Sequence, residues 1–213
     1  RAAGPMGPGE FVPAAEASGL IDDLGMFALR RAIEEIGPLG ELKISVNVSP
    51  AQLRNPTLPQ TVFSTLEEWG VAASRLQLEV TESFLVSHPD RAIRLIEQLR
   101  QSGIIIALDD FGTGYSSIGY LKQFQFDRVK LDRSLVAEID SDPVQAALVE
   151  STMIYAFAMG LAVTAEGVER REEAALLSRL GCREFQGYLF ARPLRLAQLE
   201  RLLQGEQALR QAS

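Results

Sequence analysis

Strand and helix signals alternate six times along this chain, and that alternation narrows the fold more than any other property. Lys43–Ser49 (KISVNVS), Leu76–Thr81 (LQLEVT), Ile104–Leu108 (IIIAL), Arg128–Leu131, Leu161–Ala165 and about Arg183–Leu189 read as strands. Helical periodicity falls at Asp22–Ile36, Pro56–Trp69, Pro89–Gln101, a short stretch near Ile118–Gln123, Pro143–Met159, Arg171–Leu180 and residues 195–211. Gly37-Pro38, Gly103, Gly160 and Gly181 stand where those helices stop. Strands separated by helices must run parallel, because the crossover is too long for a hairpin. Two α/β architectures satisfy this, an open doubly wound sheet and a (β/α)8 barrel. No GxGxxG follows the first strand, so a dinucleotide-binding sheet has no support. A barrel needs eight strands. The glycine- and proline-rich residues 1–9 read as irregular, and a chain that meets a helix before any strand reads as starting inside a domain.

At 213 residues and 46% hydrophobic, the chain can build one domain with a sizeable core. Its 28 acids against 21 bases give a net charge of −7, which argues against a duplex nucleic-acid surface. A small anionic ligand stays possible, because bound divalent cations reverse the local field. With one cysteine, Cys182, there is no internal disulfide and no cysteine metal site. With one histidine, His88, there is almost no material for histidine–metal or serine–histidine–aspartate chemistry. No apolar run reaches membrane-spanning length and no signal-peptide pattern opens the chain, which predicts a soluble, reduced compartment such as the cytoplasm.

The chemistry collects at the carboxyl ends of the strands. There the chain places Asn47; Glu79 with Glu82; Asp109 and Asp110; Lys130 and Asp132; Glu166 and Glu169; and Gln186. In barrels and doubly wound sheets alike, this is the end that carries the site. The Asp109-Asp110 pair closes a strand that is apolar on both faces, a costly place for two acids unless something positive neutralises them. Oxygen donors without histidine suit one or two hard cations, Mg²⁺, Mn²⁺ or Ca²⁺. Asp110 also reads as a cap of the following helix. Lys130 either orients or deprotonates an attacking water or merely neutralises surplus carboxylates; Asp132 reads as its ion-pair partner. Phosphoryl displacement and an enolate-stabilising barrel chemistry acting on a small carboxylate or sugar phosphate both fit this donor set.

Six segments carry a more specific message: NVSP at 47–50, EVTES at 79–83, DDFGTGYSS at 109–117, VKLD at 129–132, AEGVE at 165–169 and FQGYLFARPL at 185–194. Together with EFVPAAEASGLIDDLG at 10–25, they resemble the EAL-domain family, in order and over nearly the whole chain. The resemblance implies a (β/α)8 TIM-type barrel with one antiparallel strand. It also implies hydrolysis of the bacterial second messenger cyclic di-GMP to linear pGpG with two Mg²⁺ or Mn²⁺ ions. By resemblance, Asn47, Glu79, Asp109, Asp110 and Glu166 are metal ligands or support the metal. Lys130, with Asp109 and Glu166, is the catalytic set, and Glu169, Gln186 and Pro193 line the nucleotide. Glu82 and the loop residues Gly112, Thr113 and Gly114 couple the metal site to a homodimer interface.

Residues 1–213 are then expected to be a single domain of this kind lacking about its first two strands. The Glu-Ala-Leu signature would lie upstream of Arg1, leaving this chain weakly active. Sensor or diguanylate-cyclase-like domains are the expected neighbours. A catalytically inactive cyclic di-GMP receptor that signals through dimer rearrangement is the alternative.

Overall fold

A computed structural model describes residues 6–81, 89–112 and 124–211. The helix expected near Ile118–Gln123 lies outside them. In order, the elements are α1 (Pro8–Ser18), α2 (Ile21–Ile36), β1 (Ile44–Val48), α3 (Leu58–Glu68), β2 (Leu76–Thr81), α4 (Pro89–Gln101) and β3 (Ile105–Phe111). They continue with β4 (Arg128–Leu131), α5 (Arg133–Val136), α6 (Pro143–Ala158), β5 (Ala162–Ala165), α7 (Arg171–Arg179), β6 (Glu184–Phe185) and α8 (Leu196–Gln211). The strands form one six-stranded sheet in the order β1-β2-β3-β4-β5-β6, with each neighbouring pair parallel.

Sequential order with helical crossovers is the arrangement of a barrel wall, and it lacks the order reversal of a doubly wound sheet. Outward residues of each strand, among them Ile44, Val46, Leu76, Leu78, Ile106, Val129, Leu131 and Val163, join the helices in one core. In α2, Leu29 and Ile33 face that core while Phe27 is 67% exposed. Arg75 closes the C-terminal end of α2 by donating to the carbonyls of Ile36, Gly37 and Leu42 at 3.2, 2.9 and 3.0 Å.

Four elements depart from the sequence reading, each for a local reason. Helix α1 begins at Pro8, inside the stretch expected to be irregular, because a first-turn proline gives up an N–H that would have no partner. Strand β3 runs through both aspartates to Phe111. Its pairing with β4 slips by one residue between Leu108↔Val129 and Phe111↔Leu131, so the acids sit in a β-bulge. The four-residue α5 had no sequence signal except Asp132, whose Oδ1 accepts from the Ser134 N–H at 2.8 Å. Asp132 is therefore a helix cap, and its partner is that amide rather than Lys130.

The last strand is two residues long instead of seven. After Phe185 the chain crosses the preceding loop: Gln186 donates to the Ala165 carbonyl, Val168 to that of Gln186, and Leu189 to that of Val168. That crossing needs Gly187, since a Cβ there would lie 2.1 Å from the Val168 carbonyl oxygen.

Ile106, wholly buried in the central strands, tests the core directly. Ile106→Ala should lower unfolding free energy by about 2–5 kcal/mol in urea titration.

Candidate functional site

Side chains alternate between the two faces of a strand, so the inner face carries Ser45 and Asn47 on β1, Gln77 and Glu79 on β2, and Arg128 and Lys130 on β4. Parallel register then sets Asn47 beside Glu79, and Thr81 beside Asp109. Glu79 and Lys130 are separated by β3, a span of about 9–10 Å between strand axes. The β3 residue in register with Glu79 is Ala107, whose methyl leaves the path between them open.

Lys130 Nζ lies 2.5 Å from Glu79 Oε2, 2.7 Å from Glu166 Oε1 and 2.9 Å from Asp109 Oδ1. One ammonium thus sits among three carboxylates, leaving two surplus negative charges in a largely water-free place. Burial disfavours the Lys130 ammonium, but the hydrogen bonds it donates to Glu166 and Glu79, the nearby Glu79 charge and the close Asp109 carboxylate outweigh it and raise its pKa. For Glu166 burial is the larger influence and raises the carboxyl above its ordinary value, against the pull of Lys130. The Asp109 oxygen facing Lys130 is buried and makes an ion pair whose angles do not qualify as a hydrogen bond.

Asp110 occupies the left-handed region at φ 55°, a conformation Asp tolerates better than most residues. The bulge turns its carboxyl to the exposed rim while Asp109 stays inside. Its pKa is raised by partial burial and by the neighbouring Asp109 and Asp132 charges, against Lys130.

These oxygen donors suit a hard divalent cation. Among the described residues, no group of three acids is arranged as a ready cation site, and the Lys130 ammonium already holds the centre of the three that converge. Buried surplus negative charge and the poorly satisfied Asp109 oxygen are the features that fit a cation. Asn47, on the exposed inner face beside Glu79, completes the oxygen set.

Beside the cluster opens a groove of about 380 Å³ lined by Glu169, Gln186 and Pro193, together with Arg133, Tyr188 and Arg192. Arg133 pairs with Glu169 at 2.9 Å, and its stem crosses so close to Gly167 that a Cβ there would meet it at 2.4 Å. The Arg192 guanidinium stacks 4.7 Å over the Tyr188 ring. Anionic and flat aromatic chemistry are both served by such a lining.

The loop that carries Glu166 and Glu169 is held by Glu173, which is 3% exposed. Its Oε2 accepts from the N–H groups of Glu169 and Arg170 at 3.0 Å each, and its Oε1 from Arg170 Nε at 3.0 Å and the Glu138 N–H at 3.3 Å. Gly112, at φ 95°, admits Leu135, whose Cδ1 would lie 2.2 Å from a Cβ. Glu82, Thr113 and Gly114 lie outside the described residues.

Sequence reasoning passed over Ser45, Gln77, Arg128, Arg133, Glu173, Tyr188 and Arg192. The two-residue polar period in SVN, QLE and RVK was a usable signal for the first three, since each pairs a polar residue with a strand-end candidate on the same face. Glu173 stands three residues after Arg170, where a capping glutamate belongs, and gave a weaker one.

Although burial favours a neutral Glu173 carboxyl, the N–H groups of Glu169 and Arg170, the Arg170 guanidinium and the Glu138 N–H hold its pKa below the ordinary value. A depressed carboxylate stabilises the fold above its unfolded-state pKa and loses that contribution as pH falls through its folded-state pKa. Glu173→Gln should therefore cost about 1–3 kcal/mol in urea titration at pH 7. The difference between variant and parent should shrink steadily as the titration is repeated at more acidic pH.

A family model described as "EAL domain" matches residues 1–193. The cyclic di-GMP phosphodiesterase NbdA of Pseudomonas aeruginosa is 40% identical over 205 residues, covering 94% of this chain and 26% of NbdA. The chain spans about a quarter of the length of the first such relatives. Among solved structures, a PaMucR phosphodiesterase–c-di-GMP complex superposes with a TM-score of 0.86 at 36% identity, covering 93% of this chain and 82% of that one. A manganese/c-di-GMP complex of Klebsiella pneumoniae BlrP1 gives 0.74 at 33% identity, covering 81% and 44%.

Proposed function

Because the chain belongs to the EAL domain family, we propose that it is a divalent-cation-dependent phosphodiesterase that hydrolyses cyclic di-GMP to linear pGpG. The observation that carries this reading is the cluster of buried Glu79 and Asp109 and half-buried Glu166 around Lys130 at the carboxyl ends of parallel strands. Relatives named for this activity and a neighbour holding both manganese and c-di-GMP support it.

In this reading, oxygens of Asn47, Glu79, Asp109, Asp110 and Glu166 hold two Mg²⁺ or Mn²⁺ ions. Such ions, when bound, stabilise the attacking and leaving oxygens of an in-line displacement. Lys130 orients the attacking water and opposes developing phosphorane charge. Glu169, Gln186 and Pro193 receive the nucleotide in the groove, where Arg133 adds a cation and Tyr188 an aromatic face. Glu82, with Gly112, Thr113 and Gly114, links the metal site to a homodimer interface.

Residues 1–213 form a single phosphodiesterase domain in this reading, and it serves as the cytoplasmic output of a larger protein with sensor or diguanylate-cyclase-like neighbours. No helix among the described residues is long and apolar enough to cross a membrane.

The test is product analysis with Mn²⁺ or Mg²⁺ beside equilibrium binding of cyclic di-GMP in EDTA. pGpG should form with metal and not in EDTA, and Asp109→Asn should lower kcat at least about 100-fold. Tight binding with no product under any metal condition would make the protein a receptor instead.

Lys130→Met should abolish turnover. It should also destabilise the EDTA-treated protein by about 3–5 kcal/mol in denaturant titration at pH 7, because buried Glu79 and Asp109 and half-buried Glu166 lose the ammonium they share.

A further inference from the structure

We infer that Gln77, anchored by Ser45, is a positioning residue that fixes the Glu79 carboxylate for cation binding; the inference rests on the proposed role of Glu79 as a metal ligand. Gln77 precedes Glu79 by two residues on β2, so both side chains project from the inner face. Both are nearly water-free, 6% and 5% exposed. The Gln77 amide nitrogen donates to Glu79 Oε1 at 2.8 Å and to Ser45 Oγ at 3.1 Å.

The direction of the amide is dictated by its partner. An ionised carboxylate can only accept, so the nitrogen of Gln77 and not its oxygen must face Glu79. Both amide hydrogens are then spoken for: the Glu79 carboxylate sets which end of the amide faces it, and the Ser45 hydroxyl gives the second N–H an acceptor. Ser45 and Gln77 are themselves register partners, and the next inward pair along the same two strands is Asn47 and Glu79. One polar pair thus underlies the other.

The consequence concerns the division of the two Glu79 oxygens. Gln77 holds Oε1, and Lys130 holds Oε2 at 2.5 Å. With Oε1 tethered, the carboxylate cannot swing both oxygens onto the ammonium, and a cation at Glu79 has only to share or take over Oε2 from Lys130. Without Gln77 the carboxylate gains rotational freedom, and Lys130 competes for both oxygens. Groups behind a metal ligand that orient it in this way commonly change metal affinity about 10–100-fold when removed.

The experiment is Mn²⁺ binding by calorimetry to the purified protein, to Gln77→Leu, to Ser45→Ala and to Glu79→Gln, with the melting temperature of each measured in EDTA. Gln77→Leu should bind Mn²⁺ about 10–100-fold more weakly. In turnover assays the Mn²⁺ concentration for half-activation should rise by a similar factor, while kcat at saturating Mn²⁺ changes less. Ser45→Ala, at an exposed position on the edge strand, should weaken binding by a smaller factor. It keeps the inference testable if Gln77→Leu fails to fold.

Affinities of both variants within twofold of the parent, while Glu79→Gln loses a site, would overturn the positioning role alone. The same holds for a loss confined to the melting temperature in EDTA. A parent that binds no Mn²⁺, or a Glu79→Gln variant that binds it equally well, would overturn the metal assignment of Glu79 and this inference with it.

Discussion

One ammonium among three carboxylates, two buried and one half-buried, is the interaction on which the rest of this structure depends. Lys130 reaches from β4 across β3 to Glu79 on β2, touches Asp109 on β3, and meets Glu166 just past β5. The cluster therefore ties four successive strands together at their carboxyl ends. Desolvating four charges is expensive, and one cation leaves the account unbalanced by two negative charges. A fold that tolerates such a surplus does so for chemistry rather than for stability, since apolar side chains would fill the same space at lower cost.

Backbone devices around the cluster do the aiming. A plain strand would send Asp109 and Asp110 to opposite faces; the bulge in β3 and the left-handed turn at Asp110 instead keep one acid inside and set the other on the rim. On the opposite side, Glu173 gathers the N–H groups of the loop carrying Glu166 and Glu169, and Gly187 lets the following segment lie across Val168. The cluster and the groove beside it are thus built by the same loop. This places a cation-hungry centre next to a surface that offers arginine and aromatic side chains.

The sequence and the structure agree most closely where a signal is local and repetitive. Strand β2 and helix α4 have the residues their patterns predicted, and the carboxyl-end candidates Glu79, Asp109, Lys130 and Glu166 converge. Agreement fails where backbone must respond to a distant neighbour. The last strand stops at Phe185 because the chain turns over Val168, and no residue between 183 and 189 announces that. Asp132 looked like an ion-pair partner for Lys130, two positions away on a strand. Its side chain found the nearer Ser134 amide because a short helix begins there.

By itself the sequence determined the parallel α/β alternation, the oxygen-rich and histidine-poor donor set, and the family. All three are written in residue type and period, which survive without coordinates. Only the tertiary structure decided that Lys130 stands at the centre of Glu79, Asp109 and Glu166, that Gln77 and Ser45 support Glu79 from below, and that Glu169 pairs with Arg133 at the groove. These are contacts between different strands and loops, and they depend on register, bulge and the reach of long side chains. A one-residue slip in the register of β2 or β4 would send Gln77 and Glu79, or Lys130, to the other face.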